Sequence, residues 1–262
     1  GGGEPTVAWE LLVEVVDYAT RLAKRADVPL RLVLATNGVM SPDQARWIRD
    51  RFRAVTLSLD GPREIQDRNR PKPDGSGSFD DVMGFLDVLR GSRAEIFTRS
   101  TVTRSMVTRM TDMVEFFVQR ANVRNLHFEP AFPTGRCLEC LDDGAPAIEF
   151  ADAFVAASDR AEALGANLRF SATRIGGPFL SFCGCSEDPF SVTVDGLITA
   201  CLEVIDCRQP MAKRFIFGEY NSLQNHFTID FDKLKTLRSM NVLEKQGCAT
   251  CYAKWNCSGD CP

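Results

Sequence analysis

The chain has 262 residues, with 31 basic and 35 acidic side chains, a formal charge of −4 and 44% hydrophobic residues. That balance gives no basic field for nucleic acid, and no apolar run approaches the ~18 residues that a membrane span needs. The chain opens Gly1-Gly2-Gly3-Glu4-Pro5 without a secretory signal, so a cytoplasmic protein able to bury its own core is expected, with neither nucleic acid nor membrane among its partners.

Leu12, Val15, Val16, Ala19, Leu22 and Ala23 recur at helical spacing within residues 7–25, and Arg21, Lys24 and Arg25 close the last turn. An amphipathic helix is predicted there. Residues 30–35 read LRLVLA, a β-rich run that ends in the turn signal Thr36-Asn37-Gly38. Ser41-Pro42-Asp43-Gln44 is a capping box with proline at the first helical position, which predicts a helix to about Phe52. A strand over Ala54 to Leu59 follows and stops at Asp60-Gly61-Pro62.

The pattern then repeats. A helix after Ser78 carries Val82, Phe85, Leu86 and Leu89 on one face, and a strand follows over Ala94 to Thr103. A further helix carries Met110, Met113, Val114, Phe117 and Val118, followed by a strand over Val123 to Glu129. After a loop over 131–147 that holds Cys137 and Cys140, a helix near Phe150 to Leu164 precedes a strand near Leu168 to Thr173. Such alternation argues for a parallel sheet. Polar residues in the loops after successive strands favour a partial or complete α/β barrel over a doubly wound sheet, with the site at the C-terminal strand ends.

Organisation changes after Gly176-Gly177-Pro178. Residues 190–194 and 197–200 flank Asp195-Gly196, which predicts a hairpin with a two-residue type I′ turn that lets Cys185 and Cys201 approach one centre. A strand over 215–217 and a helix near Phe231 to Lys245 lead into Cys248-x2-Cys251-x5-Cys257-x3-Cys261.

Disulfides are disfavoured for the ten cysteines, because a chain of this length needs no staples and a reducing compartment removes them. Zinc is disfavoured too. The quartet has one close pair with spacings of x5 and x3 that make poor knuckles, and the chain has only two histidines. Iron–sulfur clusters accept thiolates from distant segments, and the quartet with Cys183, Cys185 and Cys201 offers more thiolates than one tetrahedral ion uses. Two clusters are therefore expected.

Gly2-Gly3-Glu4-Pro5 precedes the first helix, and the strand ends read Thr36-Asn37-Gly38 and Ser58-Leu59-Asp60-Gly61-Pro62. The cysteine framework is Cys185-x10-Gly196-x4-Cys201 followed by the quartet. Together these features resemble the radical SAM enzymes that bear a SPASM extension, over essentially the whole chain. The resemblance implies an α/β fold: a partial (β/α)6 radical SAM barrel over residues 1–178, then a small cysteine-rich α+β SPASM module with a β-hairpin over 179–262. It implies that Gly2, Gly3 and Glu4 form the loop that binds the amino group of S-adenosylmethionine, and that Ser58 lines its pocket. Asn37 could touch that ligand or simply shape its turn. Arg99 could reach the ligand carboxylate or pair with Glu95 or Glu129.

By the same resemblance, one auxiliary [4Fe-4S] cluster is held by Cys185, Cys201 and Cys261, with Cys183 as candidate fourth ligand or an open iron site in its place. The other is held by Cys248, Cys251 and Cys257. The Cys-x3-Cys-x2-Cys loop of the radical-site cluster is expected upstream of Gly1 and the last auxiliary ligand beyond Pro262. The chain is thus expected to be an internal fragment that does not cleave S-adenosylmethionine alone.

The implied activity is that of a maturase that modifies a peptide or protein side chain through a 5′-deoxyadenosyl radical. The auxiliary clusters transfer electrons or bind substrate, and a reductant such as flavodoxin or ferredoxin is the expected partner. A ribosomally made peptide is the favoured substrate. Sulfatase maturases carry aspartate directly after the hairpin cysteine, whereas this chain has Leu202 and then Glu203, which ranks a sulfatase maturase second. A zinc-stabilised, non-catalytic peptide-binding module is the third reading. His127 reads as a satisfied strand histidine ahead of a site residue. Arg68 and Arg70 could clamp an acidic peptide or lie solvated, and Cys137, Cys140 and Cys207 carry no assigned role.

Overall fold

The structure is a computed structural model that describes residues 3–131, 144–171, 177–187 and 189–259. Two compact units emerge, Gly2–Phe170 and Ser171–Pro262. The sequence had placed this division at 178/179.

The first unit begins with a 3-10 turn, Pro5–Ala8, that runs into helix α1, Trp9–Ala26. Strands β1 (Val33–Thr36), β2 (Ala54–Ser58), β3 (Glu95–Val102), β4 (Asn125–Pro130) and β5 (Asn167–Arg169) pair in that order, all parallel. Between them lie helices α2 (Pro42–Arg51), α3 (Arg63–Asn69), α4 (Phe79–Leu89), α5 (Met110–Glu115) and α6 (Ala147–Ala163). The capping box of α2 is formed from both sides: Ser41 Oγ accepts from the Gln44 amide, and Gln44 Oε1 accepts from the Ser41 amide.

Two features depart from the sequence reading. The segment after Asp60-Gly61-Pro62, for which the sequence predicts no helix, holds α3, which lacks apolar periodicity because only Ile65 and Gln66 are buried on it. The helix after β3 is broken into a 3-10 turn (Arg104–Arg109), α5 and a π turn (Phe116–Arg120). The apolar positions 110, 113, 114, 117 and 118 remain buried throughout, so periodicity reported the buried face and not the winding.

Alternate strand residues divide the sheet into two unlike faces. Leu34, Val55, Leu57, Leu126 and Phe128 point into one apolar core with Val16, Ile48, Val82, Phe85, Met113, Phe117 and Phe150 from the helices. The other face is mixed: it carries the polar groups of Thr56, Ser58, Arg99, Asn125 and His127 together with Ala35 and Phe97. A parallel sheet with helices packed on one side only is the arrangement of a barrel wall.

The second unit is an antiparallel sheet of β6 (Ser191–Val192), β7 (Leu197–Thr199), β8 (Ile216–Asn221) and β9 (His226–Ile229), in that order. Helices α7 (Ala212–Phe215), α8 (Phe231–Ser239) and α9 (Lys254–Cys257) accompany it. The hairpin turn is not type I′. The Gly196 amide donates to Thr193 O at 3.0 Å and the Thr193 amide to Leu197 O at 2.9 Å, with Gly196 alone at positive φ (81°). This is a three-residue loop closed by a left-handed glycine, because Asp195 stays out of the left-handed region that a type I′ turn demands.

Helix α8 also stops earlier than its sequence suggested, at Ser239, and the chain then extends so that the Val242 amide reaches Leu180 O at 2.8 Å. Strand β9 escaped the sequence reading because its polar/apolar alternation, His226-Phe227-Thr228-Ile229, lasts only four residues, and all four are exposed. Among the described residues, no helix is long and apolar enough to cross a membrane.

Candidate functional site

The polar face of the first unit is ordered in rows set by strand register. Ser58 pairs with Arg99, Arg99 with His127, and His127 with Arg169, so these residues form one line across β2, β3, β4 and β5. One row toward the strand starts lie Thr56, Phe97, Asn125 and Asn167. A cavity of about 190 Å3 opens on this face, lined by Thr56, Phe97, His127, Asn167 and Arg169 among others. Two of the residues singled out by sequence, Ser58 and Arg99, thus stand side by side, and their neighbours His127 and Arg169 extend the line.

Arg99 is exposed and makes no hydrogen bond or ion pair among the described residues. Both of its candidate carboxylates are engaged elsewhere: Glu95 with Arg31 at 3.0 Å, and Glu129 with His127 Nε2 at 2.5 Å. His127 has the local partner expected of a satisfied histidine, and it also lines the cavity. Arg169 was not singled out from sequence. Its signal was its register: it sits two strands from Arg99 on the same face.

Glu4 ties the chain's opening loop to the end of β1. Its Oε1 accepts from Thr6 Oγ1 at 2.8 Å, from the Thr6 amide at 3.2 Å and from Thr36 Oγ1 at 2.8 Å. Its Oε2 accepts from the Asn37 amide at 2.6 Å. The carboxylate therefore holds the loop in place, and the Asn37 side chain shapes its own turn by accepting from the Val39 amide at 2.8 Å. Gly3 is exposed with open space where a side chain would stand; Gly2 lies outside the described residues.

Beyond β2, Asp60 is buried and Arg70 grips it through two hydrogen bonds of 3.0 Å each. The Thr101 amide donates to the same carboxylate at 2.9 Å. Arg70 is thus spent on the protein itself, and Arg68 donates to Ser105 Oγ at 2.9 Å. The acidic-peptide clamp considered for this pair has no guanidinium to spare at Arg70.

In the second unit Cys183, Cys185 and Cys201 belong to one packed cluster with Ile198, Val204, Phe215 and Leu237. The Cys183 thiol donates to the Cys185 sulfur at 3.2 Å, far beyond the ~2.05 Å of a disulfide. Cys248, Cys251 and Cys257 are likewise outside any disulfide, with the Cys251 amide bonded to Cys248 O across the turn at 3.2 Å. Among the described residues, no group of three or more His, Cys, Asp or Glu side chains is set around a single ion. The donor chemistry fits an iron–sulfur cluster: the candidate ligands among the described residues are all sulfur, and apart from exposed Cys251 they are partly or fully shielded from water. Cys261, Cys137 and Cys140 lie outside the described residues; Cys207 is exposed.

No protein-family model matches the chain. Over 144 residues it is 28% identical to the cysteine-type anaerobic sulfatase-maturating enzyme of Clostridium novyi (strain NT), covering 54% of this chain and 36% of that protein. Over 120 residues it is 25% identical to the enzyme of the same description from Clostridium perfringens, covering 45% of this chain and 32% of that one. The matched stretches thus span about a third of these relatives. In fold it matches native anSMEcpe with bound AdoMet and Kp18Cys peptide, with a TM-score of 0.70 at 17% identity over 99% of this chain and 73% of the other. Native anSMEcpe with bound AdoMet gives a TM-score of 0.69 at 18% identity, over 98% and 72%.

These likenesses bear out the resemblance to radical SAM enzymes with a SPASM extension that the sequence carries: the chain is similar in sequence to two enzymes of sulfatase-maturating description and shares the α/β fold of the anSMEcpe structures. Within that class, the two Clostridium relatives and the anSMEcpe structures are of the anaerobic sulfatase-maturating kind.

Proposed function

We propose that the intact protein is a radical SAM maturase that modifies a peptide side chain, and that the polar face of the parallel sheet holds S-adenosylmethionine. The observation that carries this reading is the row Ser58–Arg99–His127–Arg169, with Arg99 unpaired, on the face away from the helices of a fold whose neighbours bind AdoMet. Bound S-adenosylmethionine with a reduced iron–sulfur cluster supplies a 5′-deoxyadenosyl radical, the hydrogen-abstracting species.

This chain's own residues bind and orient. Arg99 offers a planar fork of donors suited to a carboxylate, and the Ser58 hydroxyl stands beside it. Glu4 is fixed against Thr36 and Asn37, so that the backbone acceptors of the adjoining glycine segment, and not this carboxylate, would be left to the ligand ammonium. Cys183, Cys185 and Cys201, with Cys261, would hold one auxiliary cluster, and Cys248, Cys251 and Cys257 would contribute to another. Their cluster chemistry is electron transfer or capture of a substrate thiolate.

The substrate reading has two branches. A ribosomally made peptide is favoured by Leu202, which is 59% exposed where a sulfatase maturase carries its aspartate. A cysteine-containing sulfatase segment is favoured by the two relatives of sulfatase-maturating description. The decisive experiment is anaerobic reconstitution of the intact protein with iron and sulfide, followed by S-adenosylmethionine and dithionite. 5′-Deoxyadenosine is expected, with strong loss in Arg99→Ala; none from iron-replete protein would overturn the proposal. A cysteine peptide oxidised in the same assay, read by mass spectrometry, would select the sulfatase branch.

A further inference from the structure

At the opposite end of the sheet lies a feature that the radical chemistry does not use. A concavity of about 470 Å3 is lined by Arg49, Arg53, Arg90 and Arg93, together with Asp50, Phe52, Gly91 and Ser92. Arg53 immediately precedes β2 and Arg93 stands two residues before β3, so both mark the N-terminal strand ends, whereas Ser58 and Arg99 lie farther along the same strands. The Glu95 amide donates to Arg53 O at 2.9 Å, which fixes these two approaches side by side.

The four guanidinium groups do not have equal explanations. Arg49 pairs with Asp50 at 2.9 Å and Arg90 with Asp87 at 3.2 Å, and both stand at or just past helix C-termini, where the helix dipole welcomes a cation. Arg53 and Arg93 have neither reason. Each is exposed, and among the described residues neither side chain makes a hydrogen bond or ion pair. Two unneutralised guanidinium groups converging on one hollow, in a chain of net charge −4, form a local positive focus against the overall sign. The hollow falls within the size range of small-ligand sites, and a guanidinium fork matches phosphate oxygens in pairs.

We propose that this hollow binds a small, multiply charged oxyanion of the phosphate class, with Arg53 and Arg93 as its principal ligands. The site is separate from the radical site and stands independently of the function proposed above. Binding selectively to the folded protein would raise its thermal stability by mass action.

The test is isothermal titration of the protein with inorganic pyrophosphate, with inorganic phosphate as a second arm and sodium chloride at matched ionic strength as baseline. One saturable site per chain is expected, tighter for pyrophosphate than for phosphate and weaker as salt rises. Arg53→Gln and Arg93→Gln should each weaken it about tenfold. Arg53→Lys, which keeps charge but not the fork, should fall between. Arg46→Gln, on the same helix as Arg49 but outside the hollow, should bind as the parent does. Absence of saturable binding, or affinity unchanged in folded Arg53→Gln and Arg93→Gln, overturns the proposal; circular dichroism verifies folding of each variant.

Discussion

Arg70 and Asp60 form a two-point ion pair, Nε to Oδ2 and Nη2 to Oδ1, both at 3.0 Å, in which Asp60 is 1% exposed and Arg70 30%. The pair bolts the segment after α3 to the ends of β2 and β3, since the same carboxylate also accepts from the Thr101 amide. Removing the arginine leaves a buried carboxylate without its counterion. Arg70→Met is expected to cost roughly 3 kcal/mol of unfolding free energy in urea, and Asp60→Asn in the same chain should recover part of that loss. An unshifted midpoint for the single variant would mean that the pair contributes little.

Glu4→Gln keeps the side chain's shape but sets an amide NH2 against donors. Four hydrogen bonds converge on this carboxylate, from Thr6 twice, Thr36 and Asn37. The expected result in the intact protein is about tenfold weaker binding of S-adenosylmethionine, with the circular dichroism spectrum preserved. Equal affinity would remove Glu4 from the positioning role.

Asp206 offers a pH test. The Arg208 side chain and amide, both donating to it, hold its carboxyl down to about 2 from an ordinary value of 3.8. A folded-state value below the unfolded one means that the pair's stabilisation is present above the ordinary value and is lost as pH falls from there through about 2. Carboxyl carbon shifts in NMR should give a midpoint near 2, returning toward 3.8 in Arg208→Ala.

The cysteines separate by expected role. In the reconstituted intact protein, Cys185→Ser and Cys201→Ser should each lower bound iron and sulfide and the visible absorbance, whereas Cys207→Ser should not. Zinc held stoichiometrically by colourless protein would reverse the metal assignment.

Gly196 should tolerate no side chain. Its φ is 81°, and a methyl group there would meet Tyr220 Cβ at 2.9 Å. Gly196→Ala is therefore expected to cost at least about 1–2 kcal/mol, measured as a lowered melting temperature of the second unit.

Much of the first unit was legible because its signals are local. The Ser41 capping box and the apolar positions of α4 and α6 each announce an element within one helical turn or two. What escaped has a physical reason. Short α3 buries too little to print a period, β9 alternates over only four residues, and the hairpin turn depends on whether Asp195 or only Gly196 takes a left-handed conformation, which the pair Asp-Gly permits either way. At the candidate site, Ser58 and Arg99 were singled out from motif position and strand placement, and register sets them side by side. Arg169 was not, because only inter-strand register puts it in line with Arg99.

The two-faced sheet has a consequence for how this sequence can change. Along β3, Thr98, Ser100 and Val102 are buried, while the residues between them are more exposed and include Arg99 and Thr101. Substitution at an odd position can alter the polar face without touching the core, and substitution at an even position does the reverse. An insertion or deletion of one residue respects neither: it turns every later side chain to the wrong side. The strand is therefore permissive to exchange and intolerant of slippage, and the record of its history should be written in replaced residues at fixed length.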